Sequence, residues 1–349
     1  MIKDHSRRRM TETNLLIKNR AIQPYAVIAG IQTYIDYLHE NLCFFPPEGR
    51  LNFGMGDVAG LTQVCNNYAT MLQIPQVTPS PVSPYDADAD AWFEAVRLAN
   101  IAAGASASLA AISTPNKVVM NNLFLTLKAQ NVWAAAQQSN FFGASPYLAG
   151  ALVPLNPSFA TVTNNNFVEA DYSRTSGLLG DGTSKYIKTN FLPSAANQDN
   201  LHLQAYITQG ASLTTRIFLG NTVIATSGGF YANIATAASG TAVTTKCLGA
   251  SSTNGTLGRA TGLASINRSV TATYDRYLCG NTVGVTSVGS APVIAAFTVF
   301  AGSTGQSGTY NNARIGFYSI GSSIATTATY LSNALAVETA LATTFSSLT

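Results

Sequence analysis

Hydrophobic positions near the start of the chain recur at helical spacing. Val27, Ile28, Ile31, Tyr34, Ile35 and Leu38 form one stripe behind Pro24, which predicts a helix over Pro24–Asn41. Asp36, His39 and Glu40 fall off the stripe, and Pro46-Pro47-Glu48-Gly49 ends it. A second short apolar helix is predicted from Val58 to Leu72. The stretch Val77–Tyr85 reads as a linker, because Pro79, Pro81 and Pro84 favour extended backbone. Asp86, Asp88 and Asp90 then alternate as in the opening of a calcium loop. The Gly and the closing Glu of such a loop are absent at the required spacing, so capping of a helix start is the better reading. That helix runs to about Ala111. Pro115-Asn116 opens another, with Val119, Leu123, Leu127 and Trp133 on one side, giving a helical hairpin within 86–142.

After Phe142 the period changes from helical to short and alternating. Runs such as His202–Ile207, Thr215–Leu219, Val270–Leu278, Pro292–Phe300 and Ala313–Ile320 are separated by Gly, Asn, Ser and Thr. The mostly apolar run Pro292–Phe300 predicts a central strand. Many short strands without intervening helices predict an antiparallel β-sandwich over 150–321. Ile324–Phe345 is Ala-rich, free of Pro and Gly, and predicts a closing helix within 322–349. The fold class expected is therefore α+β and multidomain: a helical N-terminal region, an antiparallel β-sandwich and a C-terminal helix.

Composition narrows the function. Hydrophobic residues make up 46% of the 349 positions, enough for a large core, but only 10% are charged, against roughly 25% in an average soluble domain. A surface of small uncharged polar residues suits a protein held by neighbours in an assembly, so a homo-oligomer is expected, with a trimer favoured. After Arg7-Arg8-Arg9 the basic residues are scattered and the net charge is +3. A nucleic-acid groove needs them clustered. The N-terminal stretch has charge but no apolar run behind it, unlike a signal peptide. No apolar stretch reaches membrane-spanning length, and no membrane insertion is expected. Cys43, Cys65, Cys247 and Cys279 include no CxxC pair. Buried thiols are expected rather than a metal site or a redox dithiol, and no cofactor is indicated.

Several runs carry a family resemblance. Leu148-Ala-Gly-Ala-Leu-Val-Pro-Leu155 precedes Asn166-Phe-Val-Glu-Ala-Asp-Tyr-Ser-Arg174 and Thr175-Ser-Gly-Leu-Leu-Gly-Asp-Gly-Thr-Ser-Lys-Tyr-Ile-Lys-Thr-Asn190. Later come Gly262-Leu-Ala-Ser-Ile-Asn-Arg-Ser269 and Arg314-Ile-Gly-Phe-Tyr-Ser-Ile-Gly321. Together with the helix ending in Asn131-Val-Trp-Ala134, these resemble the concanavalin A-like, laminin-G-like domains of tailed-phage virion proteins, cyanophage ones among them. The resemblance runs from about Tyr85 to the C-terminus. It implies a concanavalin A-like jelly roll and a structural role in a phage particle assembled in the host cytoplasm. It implies contacts with other virion proteins and, for a lectin-like head, with a host surface glycan. A tail fibre, spike or baseplate-associated component is favoured over a capsid decoration or head fibre protein; a carbohydrate-binding adsorption module is the alternative from another class. The first 76 residues are expected to form the attachment segment.

Candidate chemistry is sparse. Gly180, Gly182 and Lys185 do not have phosphate-loop spacing, and a tight turn explains them. A glycosidase needs two carboxyl groups flanking one bond. The sandwich region offers Glu169, Asp171, Asp181, Asp199 and Asp275. Glu169 and Asp171 could share a strand face, but Arg174 stands where the bacterial glucanase pattern needs a second Glu. Asp171 is expected to pair with Arg174 or to cap the turn into Gly177. His202 is the one histidine of this region and lacks a nucleophile motif. No catalytic residue and no enzyme activity are expected. For sugar stacking the candidates are Tyr231, Tyr274 and Tyr277, with core packing as the competing role of each.

Overall fold

Acidic residues and proline start the two long helices where the sequence places them, but the first ends at Ala102 rather than near Ala111, with Gly104 at φ +98° just beyond it. Asp86 is the N-cap of α1 (Ala87–Ala102), its side chain accepting from the Asp88 amide at 3.0 Å. Lys128 of α2 (Thr114–Ala129) closes on Asp86 and Asp88, at 2.6 Å from each. Asp86 thus caps the helix start, as the sequence reading expects, and shares Lys128 with Asp88. In this computed structural model the described residues are 83–349, apart from 195–197, 212–215, 222–228, 235–241, 250–252, 303–308 and 325–326. They fall in one of two units of the chain, Val82–Thr349. The predicted helices Pro24–Asn41 and Val58–Leu72, the Arg7–Arg9 cluster, Cys43, Cys65 and most of the proline linker lie outside the described residues.

The hairpin is shorter than the sequence suggests. After the four-residue helix α3 (Val132–Ala135), residues Ala136–Phe141 form strand β1, not helix. Alternation explains the switch. Phe141 and Phe142 go to opposite cores, and Asn140 Oδ1 accepts from the Tyr318 hydroxyl at 2.7 Å. A short helix, α4 (Leu148–Ala151), leads into the rest of the sandwich.

The following strands are, in chain order, β2 (Thr163–Asn165), β3 (Tyr172–Ser173), β4 (Gly177–Leu179), β5 (Tyr186–Lys188), β6 (Leu201–Gln209), β7 (Arg216–Gly220) and β8 (Gly229–Ile234). Then come β9 (Ala242–Gly249), β10 (Thr253–Thr256), β11 (Gly262–Arg268), β12 (Thr273–Leu278), β13 (Asn281–Thr286), β14 (Thr298–Val299) and β15 (Arg314–Gly321). Among the described residues one antiparallel sheet has the order β13-β12-β11-β6-β15-β4-β3. β1 pairs with the Phe317–Gly321 end of β15, beyond β4, which pairs with Arg314 and Ile315. The second sheet has the order β10-β9-β8-β7-β14-β5-β2. The run Pro292–Phe300 is central in position but not in extent. Only Thr298–Val299 pairs, between β7 and β5. Pro292 has no amide to give to a ladder, and Ile294 is exposed.

The protein is thus an antiparallel β-sandwich closed by a C-terminal helix, α5 (Thr327–Ser347). Leu203, Ala205, Ile207, Phe218, Val243, Ile266, Tyr274 and Ile320 fill the space between the sheets. A second core lies on the other face of the first sheet. There Tyr206, Leu263, Tyr277 and Phe317 meet Tyr330, Val337, Leu341 and Phe345 of α5 and the apolar sides of α1 and α2. Phe345 stacks between Phe141 and Tyr206, with ring centroids 4.7 and 5.7 Å away. Gly316 permits this, since a Cβ there would enter the Phe345 ring. Over its central strands β12, β11, β6 and β15 the first sheet is therefore covered on both faces.

Candidate functional site

With both faces of these central strands covered, their side chains serve packing. Tyr274 and Tyr277 are not surface platforms. They are 1% and 2% exposed, because β12 alternates between the two cores. The Tyr274 hydroxyl lies 3.0 Å from Thr245 Oγ1, and that of Tyr277 donates to Glu338. Neither presents a ring face to a sugar. Tyr231 lies on β8 opposite Lys246 of β9; its side chain is outside the described residues. His202 is wholly buried between the Ser322 carbonyl, 2.5 Å from Nδ1, and Ser319 Oγ, 2.9 Å from Nε2. Burial pushes its pKa down to about 4, so it is neutral and structural.

Glu169, Asp171 and Asp181 are engaged in local structure. Glu169 and Asp171 do not share a strand face. They sit on a single 3-10 turn, Glu169–Asp171. Glu169 accepts from the Leu148 amide at 3.0 Å, at the start of α4. Asp171 pairs with Lys185 at 2.6 Å and accepts from the Val168 amide at 2.8 Å, in place of the expected Arg174 pairing or turn cap. Asp181 accepts from the amides of Thr183, Ser184 and Lys185, and these bonds hold its pKa well below the usual carboxylate range. The run at Gly180–Lys185 is therefore a tight turn joining β4 to β5, with Gly182 at φ +74°. Asp275 is buried on β12. Cys247 and Cys279 are buried and free, with burial pushing the Cys279 thiol up to about 12. Among the described residues no three metal-ligating side chains converge. No described helix is long and apolar enough to cross a membrane.

One end of the sandwich differs. Here β11 ends at Arg268, β6 begins after Asp199, and the β12 and β13 termini meet through bonds from Ser287 to Ala272 and from Gly289 to Thr271. Arg268 is fully buried between the sheets. Its Nε donates to the Cys247 carbonyl at 2.8 Å and Nη1 to the Thr271 carbonyl at 2.8 Å. The guanidinium lies over the Tyr274 ring, 5.5 Å from its centroid. Nη2 has no partner. Asp199 accepts from Thr271 Oγ1 at 2.7 Å through Oδ2, while Oδ1 has none. Gly289 closes over that oxygen, and any Cβ there would collide with it. Val270 and Val288, 48% and 70% exposed, flank the cluster. Both unfilled atoms are buried beneath this end of the sandwich, so they are orphaned polar groups of the interior rather than a surface open to a ligand. The sequence signal for this cluster was slight. Asp199 stood out only as a carboxylate and Arg268 only within the Gly262–Ser269 run.

No protein-family model matches the chain, and no curated protein is significantly similar to it. Solved structures with partial similarity to the chain include the botulinum neurotoxin serotype D binding domain, at 11% identity and a TM-score of 0.39, covering 54% of this chain and 48% of that one. They also include domain 4 of AbnA, an extracellular arabinanase from Geobacillus stearothermophilus, in complex with arabinotriose. That domain is 11% identical with a TM-score of 0.37, over 57% of this chain and 98% of the other. A third is the carbohydrate-binding domain of the Ruminococcus gnavus IT-sialidase bound to α2,3-sialyllactose, at 9% identity, a TM-score of 0.29, and 40% and 82% coverage. The chain spans about half the length of the toxin binding domains it matches.

Proposed function

We propose that this chain is a non-catalytic structural component of a phage particle, in the tail fibre, spike or baseplate, whose sandwich end contacts a host surface glycan. The observation that carries the non-catalytic reading is the engagement of the carboxylates. Glu169, Asp171 and Asp181 each accept hydrogen bonds from nearby backbone amides. An acid–base pair would have to surrender these local bonds to act on one bond. The particle assignment rests on the run Asp171–Asn190 and its companion runs, which resemble tailed-phage virion proteins. The glycan reading rests on the same resemblance, which implies a lectin-like head.

Two experiments separate these parts. Mass spectrometry of purified particles, with immunogold labelling, tests the particle role. Detection of the chain on a tail structure is expected, and its absence from purified particles contradicts the assignment. A glycan array with the purified chain tests the glycan contact. Binding to a glycan of the host surface is expected, and no binding by the chain removes the glycan reading.

A further inference from the structure

Among the described residues the first sheet ends in an edge that lacks the usual protection. Strand β13 pairs with β12 through all six of its residues and has no neighbour on its other side among the described residues. Every residue of it except Val285 is exposed. It contains no charge, no proline and no bulge, the devices that normally keep an edge from pairing with another chain. The opposite edge of the same sheet, β3, has only two residues, and the Asp171–Lys185 ion pair stands beside it. On the second sheet the neighbouring edge, β10, reads Thr-Asn-Gly-Thr, also without charge. Asn281 Nδ2 donates to the Thr256 carbonyl at 2.8 Å, which fixes β13 against β10.

The edge is also a palindrome. Thr282-Val283-Gly284-Val285-Thr286 reads the same in both directions. We propose that two copies of this chain pair antiparallel through β13, about a twofold axis at Gly284. In that register Val283 faces the partner subunit's Val285, Thr282 faces the partner subunit's Thr286, and the two Gly284 residues face each other. The side-chain faces agree with this. Val283 and Val285 stand opposite Arg276 and Tyr274, on the core side of the sheet, while Thr282 and Thr286 stand opposite Tyr277 and Thr273. Valine therefore meets valine on one face and threonine meets threonine on the other, both favourable cross-strand pairs. Val283, 44% exposed in the single chain, gains an apolar neighbour. An even register also keeps the faces continuous, so both helical layers lie on the same side of a sheet running through the pair.

A surface that is complementary to itself specifies a closed twofold contact. Scarcity of charge, the basis for expecting an oligomer, sets no symmetry; this edge does, and the symmetry is that of a dimer rather than a trimer. The inference rests on the edge alone and is independent of the particle and glycan roles.

Light scattering of the full chain at micromolar concentration tests it, with a mass of twice 36.6 kDa expected. Val283→Lys places a charge against the partner subunit's Val285 and is expected to weaken association roughly tenfold or more. Its circular dichroism should be unchanged, because that side chain is outside the core. Register is tested by cross-linking. A Cβ at Gly284 meets only Asp275 Oδ1, at 3.8 Å, so Gly284→Cys fits. Directly opposed Cβ atoms lie about 4.5–5.5 Å apart, close to the ~3.5–4.5 Å of a disulfide. Oxidation should give a covalent dimer for Gly284→Cys above the level of the parent chain, and none for Thr282→Cys. A monomeric or trimeric parent overturns the proposal. So does a dimer that Val283→Lys leaves intact and Gly284→Cys fails to cross-link.

Discussion

Glu338 is the polar anchor of α5 on the first sheet, and removing it should loosen that helix measurably. The carboxylate is 4% exposed and turned inward. It accepts from the Leu263 amide at 3.0 Å and from the Tyr277 hydroxyl, and it pairs with Arg259 at 2.7 Å. Gly262, at φ +130°, brings the backbone close enough for this, since a Cβ there would collide with Glu338 Oε1. Glu338→Ala leaves the Leu263 N–H and the Tyr277 hydroxyl buried without acceptors, at about 1–3 kcal/mol each. The Arg259 partner is 60% exposed, so its loss adds only about 0–1 kcal/mol. The expected destabilisation is about 2–6 kcal/mol, the two buried donors together. Glu338→Gln keeps an acceptor and should recover most of it; Arg259→Ala should cost less than about 1 kcal/mol. Urea unfolding followed by tryptophan fluorescence is a suitable assay, because Trp92 and Trp133 both belong to the helical core. A Glu338→Ala loss below about 0.5 kcal/mol, the range of ordinary surface substitutions, would refute this account of how α5 is held.

Further outcomes follow from other buried groups. Burial holds the folded pKa of His202 at about 4, below the ordinary 6.5 of a histidine. The unfolded chain therefore binds the proton more readily between those values, so stability is full above about pH 6.5 and falls as pH drops toward 4, by about 1.4 kcal/mol per unit at most. Urea midpoints at pH 7 and pH 5 should differ in the parent and differ less in His202→Gln. Both amide atoms of the wholly buried Gln204 lack partners, so Gln204→Met should stabilise by about 1 kcal/mol through relief of desolvation, read as a raised melting temperature; a lowered one contradicts it. Glu169→Ala/Asp171→Ala should lower stability by about 1–4 kcal/mol, from the orphaned Leu148 amide and the lost Lys185 pair, in the same unfolding assay.

Local chemistry made much of the fold legible. The Asp86 cap, the proline opening of α2, the alternation in β6, β12 and β15, and the Asp181 turn depend on residues near each other in sequence. The misplacements depend on distant partners. Ala136–Phe141 became a strand because the Phe317–Gly321 end of β15 offers it a ladder. Most of Pro292–Phe300 stayed irregular because an apolar run does not record whether a neighbour strand is within reach. The same holds for the site. Tyr274 and Tyr277 were suitable residue types, but only tertiary packing shows that β12 is covered on both faces. Arg268 and Asp199 are 69 positions apart and met only through folding.

Incubating the purified chain with host surface polysaccharide, and following co-sedimentation and reducing ends together, tests the non-catalytic glycan-contact reading most directly. The chain should pellet with the polymer while reducing ends stay at baseline, and Glu169→Ala/Asp171→Ala should bind as the parent does. Release of oligosaccharide by the parent, abolished in that double variant, would contradict the reading and make Glu169 and Asp171 catalytic.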